Sequence, residues 1–211
     1  MKRRLQKSGQ GFVFSKENEK HLKAVIKKYP KGRAQSAIKE CLYTAQRQIG
    51  WVSQEAVETI ATFLDIAPIH VYEVATFYTM FHLAPVGKFH LQVCTTTPCW
   101  LRGSDGVLKA CEKASATHGE GVFTTTEVEC LGACANAPIV QINEDYYEDL
   151  NEASMTSVLE DLAAGKSRSP GSVIGRQYAA PEGGSTVLVK EKDPDNKTVE
   201  TSKSEPVDVA R

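Results

Sequence analysis

The chain of 211 residues is 41% apolar and 24% charged, ordinary globular proportions with room for one large core or two small ones. Its net charge of −1 supplies no general attraction to nucleic acid or to anionic lipid. No apolar run approaches the ~18 residues of a membrane-spanning helix, so direct membrane insertion is not expected.

The basic start MKRRLQKSGQGFVF has no apolar stretch of its own. It reads as a bacterial cytoplasmic start rather than a secretory leader, with a mitochondrial presequence as the minor alternative. In a reducing compartment the six cysteines point to metal or redox chemistry before structural disulfides.

Residues 1–83 read as a helical bundle. Ser15 caps a first helix whose stripe is Leu22, Val25, Ile26 and Tyr29, stopped by Pro30. A second helix runs from about Ser36, with Ile38, Cys41, Leu42, Ala45 and Ile49 on one face and Gly50 closing it. Ser53 caps a third carrying Val57, Ile60 and Leu64, and Pro68 opens a fourth. The following ATFYTMFHL has no clean period. Short connections make the helices antiparallel neighbours.

Residues 84–165 change rhythm to β-α-β-β-β-α. Phe89, Leu91 and Val93 alternate with His90 and Gln92, as in a half-buried strand. Ser104 caps a helix with Val107, Leu108 and Cys111 inward. VFTTTEVE is a second strand, expected parallel to the first. PIVQI and the tyrosines after NED form a hairpin, and Asn151 caps a last helix carrying Met155, Val158, Leu159 and Leu162. Residues 166–211 hold four of the nine prolines and few apolar residues, so they read as an extended or disordered tail. The alternative is a tail ordered along a partner through Val173, Ile174, Tyr178 and the VLV at Val187.

Four residues separate Cys94 from Cys99, and three separate Cys130 from Cys134. Each pair begins where a strand ends. If the two strands are neighbours, both loops emerge at one edge and four sulfurs converge. Thiolates select zinc or iron–sulfur clusters, and a [2Fe-2S] cluster takes two cysteines on each iron. Structural zinc stays open on spacing alone. Neither loop contains histidine, which argues against Rieske ligation, and the absence of C-x-x-C argues against a dithiol oxidoreductase. Thr95, Thr96 and Thr97 offer donors to sulfur, and Gly132, Ala133 and Ala135 let the backbone approach. Glu127 and Glu129 lie just before Cys130, either opposing reduction of a cluster or as a solvated edge. Trp100 either shields the site or simply packs. Cys41 and Cys111 sit on apolar stripes and read as core residues. No dinucleotide, Walker or hydrolase motif is present.

EVATFYTMF, CTTTPC and CLGACANAP together resemble the thioredoxin-like [2Fe-2S] subunit of respiratory complex I, its 24-kDa or E chain, from about Phe12 to Gly165. The extension SPGSVIGRQYAAPEGG resembles tails of alphaproteobacterial and mitochondrial members. The resemblance implies an α+β chain with a helical N-terminal unit and a thioredoxin-like ferredoxin domain. It implies a [2Fe-2S] cluster on Cys94, Cys99, Cys130 and Cys134. FMN and NADH are then expected only in a partner flavin subunit, beside a neighbouring iron–sulfur subunit. The module would sit peripherally on the cytoplasmic face of the inner membrane. Formate dehydrogenases and hydrogenases linked to NAD have similar small subunits. A zinc-holding assembly module and a free-standing ferredoxin are the other readings.

Overall fold

A computed structural model describes residues 4–119 and 121–183. Helix α1 (Lys16–Ile26) opens where the Ser15 hydroxyl accepts the Asn18 N–H at 3.2 Å. It ends earlier than its stripe suggests. Lys28 and Tyr29 donate to Val25 and Ile26 in tightened three-residue turns, so Tyr29 leaves the buried face. The residue before proline resists helical backbone, and Pro30 follows. Helix α2 (Ile38–Ile49) buries Ile38, Cys41, Leu42 and Ala45, and Gly50 closes it at φ 85°. Ile49 is half-exposed at the end of that stripe.

Helix α3 (Gln54–Leu64) is capped by Ser53, whose Oγ accepts the Ala56 N–H at 3.1 Å. Helix α4 (Pro68–Phe77) starts on proline, and residues 78–83 leave the helix. Phe81 and Leu83 nevertheless fold back into one hydrophobic cluster with Leu22, Leu42, Ile60 and Val71. That apolar return explains why ATFYTMFHL shows no single period.

Among the described residues five strands form one mixed sheet, in the order Phe123–Val128 (β2), Phe89–Cys94 (β1), Val140–Ile142 (β3), Asp145–Glu148 (β4) and Gly171–Ser172 (β5). Strand β1 (Phe89–Cys94) lies parallel to β2 (Phe123–Val128) and antiparallel to β3 (Val140–Ile142). Strand β4 (Asp145–Glu148) completes the hairpin with β3. Helices α6 (Ser104–His118) and α7 (Glu152–Ala163) pack on each other. Their Val107, Cys111, Met155 and Leu159 share a cluster with Leu91, Val93 and Phe123. The architecture is α+β, helices first and then a mixed sheet, as the sequence pattern implies.

Two elements lie outside the sequence reading. A short helix α5 (Thr97–Leu101) sits inside the first cysteine loop. Strand β5 (Gly171–Ser172) pairs in parallel with β4, so the start of the tail joins the sheet. Val173, Ile174 and Tyr178, the apolar residues expected to anchor on a partner, are 38%, 52% and 87% exposed in the chain alone. The VLV at Val187 lies outside the described residues.

Two local expectations are corrected. Ser104 does not cap α6: Gly103, at φ 90°, holds that position, and the Ser104 hydroxyl is buried without a partner among the described residues. His90 does not face solvent either. It is 6% exposed because the His82 ring lies edge-on against it at 4.5 Å between centroids.

Candidate metal centre

The parallel pairing of β1 with β2 decides where the thiols go. Cys94 is the last residue of β1 and is level with Val128, two residues before Cys130. Both cysteine loops therefore leave the same edge of the sheet. Cys94 and Cys99 are buried, at 1% and 0% exposure, whereas Cys130 and Cys134 are exposed.

The thiols meet as two pairs. Cys130 Sγ lies 3.4 Å from Cys134 Sγ. Cys94 and Cys99 share one buried cluster with Ala137 and Ile139. The loops also lie against each other, because Leu131, from the second loop, packs against the buried cluster that contains Cys94 and Cys99. Among the described residues, no three His, Cys, Asp or Glu donors close on a single-ion position.

Several groups point at sulfur. Thr96 Oγ1 lies 3.3 Å from Cys94 Sγ, and the Gly132 N–H donates to Cys130 Sγ at 3.4 Å. The Cys94 N–H donates to the Ile139 carbonyl at 3.2 Å, which seats the end of β1 on the turn into β3. Gly132 holds φ 82°, a backbone state that favours glycine and aims its N–H back into the loop. Ala137, Ile139 and Leu131 form an apolar wall against the buried pair. Tyr146, on β4, donates its hydroxyl to the Leu131 carbonyl at 2.8 Å and braces the second loop.

These contacts set the thiol acidities. Burial raises the pKa of Cys94, but hydrogen bonds from Thr96, Leu131 and Cys99 outweigh it and leave the value below that of an ordinary thiol. Burial pushes Cys99 up to about 12, helped by its bond to Cys94 and by the negative charges of Cys94 and Cys134. Cys134 is raised first by its bond to Cys130, then by burial and by the charges of Cys130 and Cys94. Cys94 thus acts electrostatically on Cys99 and on Cys134, across both loops.

The sequence signals fare unevenly around this core. Of the three threonines, Thr96 reaches sulfur, but Thr95 turns away and donates to Glu127 at 2.6 Å. Glu127 therefore ties the first loop to the end of β2, while Glu129 is exposed. Trp100 is 57% exposed. Cys41 and Cys111 are fully buried in separate helices, and burial lifts each thiol to about 12. Leu131, Tyr146 and Asn136 were not legible as site residues. The first acts through the apolar wall and its backbone carbonyl, and the others act through contacts that only the folded sheet creates.

Two pairs of thiols, with N–H and hydroxyl donors near them, thus lie on loops that leave one end of the sheet. A family model for thioredoxin-like [2Fe-2S] ferredoxins matches residues 22–163. Over 155 residues the chain is 55% identical to the E subunit of the NADH-quinone oxidoreductase of Rickettsia typhi, covering 71% of this chain and 91% of that one. It is 46% identical over 202 residues to the E 1 subunit of the same enzyme from Rhizobium meliloti, covering 92% and 74%. Among solved structures, an NAD+-reducing [NiFe]-hydrogenase in the air-oxidised state gives a TM-score of 0.52 at 17% identity. That match covers 61% of this chain and 23% of the other, and it is a likeness of fold alone. The chain belongs to the thioredoxin-like [2Fe-2S] ferredoxin family, in the branch formed by the E subunits of NADH-quinone oxidoreductases.

Proposed function

We propose that this chain is the one-electron-transfer subunit of the NADH-oxidising module of NADH-quinone oxidoreductase, with Cys94, Cys99, Cys130 and Cys134 holding a [2Fe-2S] cluster. The observation that carries the residue assignment is the parallel register that sets Cys94 level with Val128 and sends both cysteine loops from one end of the sheet, where Cys130 and Cys134 stand 3.4 Å apart. Two pairs of soft donors match a binuclear centre with two thiolates on each iron. When bound, the cluster takes up and releases a single electron.

The chain's own residues hold and tune it. Thr96 and the Gly132 N–H donate to the ligand sulfurs, which favours the thiolate form and raises the reduction potential. The wall of Ala137, Ile139 and Leu131 keeps water from the Cys94–Cys99 side. The sequence contains no nucleotide motif, which supports placing NADH and FMN in a partner flavin subunit, beside a neighbouring iron–sulfur subunit. Among the described residues no helix is long and apolar enough to cross a membrane. We place the chain peripherally, on the cytoplasmic face of the inner membrane. Its units are a helical region over 1–83, the cluster domain over 84–165 and the segment 166–211.

Metal analysis of the purified full-length chain tests this. About two irons and two acid-labile sulfides per chain are expected, with visible charge-transfer absorption. The Cys94→Ala variant is expected to lose both iron and colour. About one zinc per chain without sulfide overturns the proposal in favour of a structural zinc module. A Cys94→Ala variant with the wild-type spectrum removes Cys94 from the ligand set.

A further inference from the structure

The segment 171–182 contacts residues just beyond each cysteine loop, Asn136 after Cys134 and Arg102 after Cys99. Strand β5 places it on β4, where the Val173 N–H also donates to the Glu148 carbonyl at 3.1 Å. From there Arg176 reaches Asp149 with a forked contact, Nε to Oδ2 at 3.0 Å and Nη2 to Oδ1 at 2.6 Å. Both side chains are almost fully buried, at 8% and 2% exposure. Ser172 Oγ donates to Asp149 Oδ2 at 2.6 Å, and Arg176 Nη1 donates to the Ala180 carbonyl at 3.0 Å.

Two further contacts run from this clasp to the thiols. Asn136, two residues after Cys134, donates its amide to the Tyr178 carbonyl at 2.7 Å and to Glu148 at 2.6 Å. The Asp149 N–H donates to the Asn136 carbonyl at 2.7 Å, so the clasp residue grips the same loop from its other side. On the first loop, Arg102, three residues after Cys99, pairs with Glu182 at 3.4 Å, and Glu182 also faces Arg176 at 3.8 Å. The Arg102–Glu182 pair is exposed and weak. The Asn136 arm is buried and dominates.

We propose that residues 171–182 form a latch that holds the Cys130–Cys134 loop, and secondarily the Cys94–Cys99 loop, in the geometry that retains the cluster. Arg176 and Asn136 are its positioning residues. The latch rests on the proposed ligation of a cluster by these four cysteines. Its effect is on retention: with the clasp open, Asn136 loses the Tyr178 carbonyl, and the loop carrying Cys130 and Cys134 opens more readily to solvent and to competing chelators. Linkage makes this reciprocal, so a bound cluster must also steady the latch.

The test uses the full-length chain. Bleaching of the visible absorption by a ferrous-iron chelator under air is followed in wild type and in Asp149→Ala/Arg176→Ala. Removing both charges leaves neither buried ion alone. Bleaching about tenfold faster is expected, the scale on which outer-shell partners act on metal affinity. A shift in the g-values of the reduced protein is expected with it, which general destabilisation would not cause. Equal bleaching and an unchanged spectrum overturn the latch. If the double variant does not fold, hydrogen exchange of wild type decides. Amides of Val173, Arg176 and Ala180 should exchange faster after cluster removal, by more than amides of α6. Exchange in the latch that changes no more than in α6 overturns the proposal. A wild-type chain without iron or sulfide defeats the cluster reading itself, whereas a loaded wild type with no variant effect defeats only the latch.

Discussion

His90 offers a sharp test of how the helical segment and the sheet meet. Its ring is buried against His82, its Nε2 lies 3.0 Å from Thr126 Oγ1, and its Nδ1 has no partner among the described residues. Burial, and then the charge of His82, push its pKa down to about 4. An unfolded histidine titrates near 6.5. Between those values the unfolded chain takes up a proton that the folded chain refuses, so stability falls as pH drops from about 6.5 to about 4 and levels off below. At about 1.4 kcal/mol per pKa unit, the full loss is about 3 kcal/mol, or roughly 6–12 °C of thermal midpoint for a chain of this size. Above pH 6.5 the residue is neutral in both states and contributes nothing to the slope. In His90→Gln the side chain can still bond Thr126 but cannot titrate, so this share of the pH dependence should vanish. The assays are thermal midpoints of both proteins at pH 7, 5.5 and 4.5, and an NMR titration of the His90 ring. Parallel pH profiles, or a ring that titrates near 6.5, would refute the reasoning.

Two further outcomes follow from single contacts. Ser53→Ala strands the Ala56 N–H in a buried position and should lower stability by about 1–2 kcal/mol, read as a lower urea midpoint with an unchanged slope; threonine should restore most of it. Cys111→Ala removes one buried atom from the face of α6, costing about 1 kcal/mol, and should leave iron and sulfide content at the wild-type level.

Local chemistry carried most of what could be read from the sequence. Ser15, Ser53 and Asn151 announce helix starts because an N-cap is a contact between near neighbours, and each cap forms. The cysteine pairs were legible for a similar reason: Cys94 ends β1 and Cys130 follows two residues after the parallel β2, so both loops leave one end of the sheet. Where a neighbour comes from far along the chain, the pattern misleads. His90 alternates like a surface residue, and only the arrival of His82 buries it. Ser104 looks like a cap, but a left-handed Gly103 one residue earlier starts the helix instead. The three threonines are indistinguishable in sequence. Glu127, 32 positions beyond Thr95, decides which of them turns from sulfur.

The segment after α7 shows the same limit with the opposite sign. Rich in proline and poor in apolar residues, it lacks the hydrophobic surface that normally offsets ordering entropy. Its described part is held by polar groups instead. Arg176 and Asp149 give up hydration that is costly to lose, and their forked contact compensates only because Ser172 and the Ala180 carbonyl take up the remaining bonding positions. A buried ion pair built this way adds little net stability, but it tolerates almost no displacement. Apolar packing would have allowed the strand to slide along β4. The fork fixes where Tyr178 presents its carbonyl, and with it the position of Asn136, two residues from Cys134. A segment that composition marks as unable to fold is placed by one buried charge pair, and the placement falls where the second cysteine loop needs support.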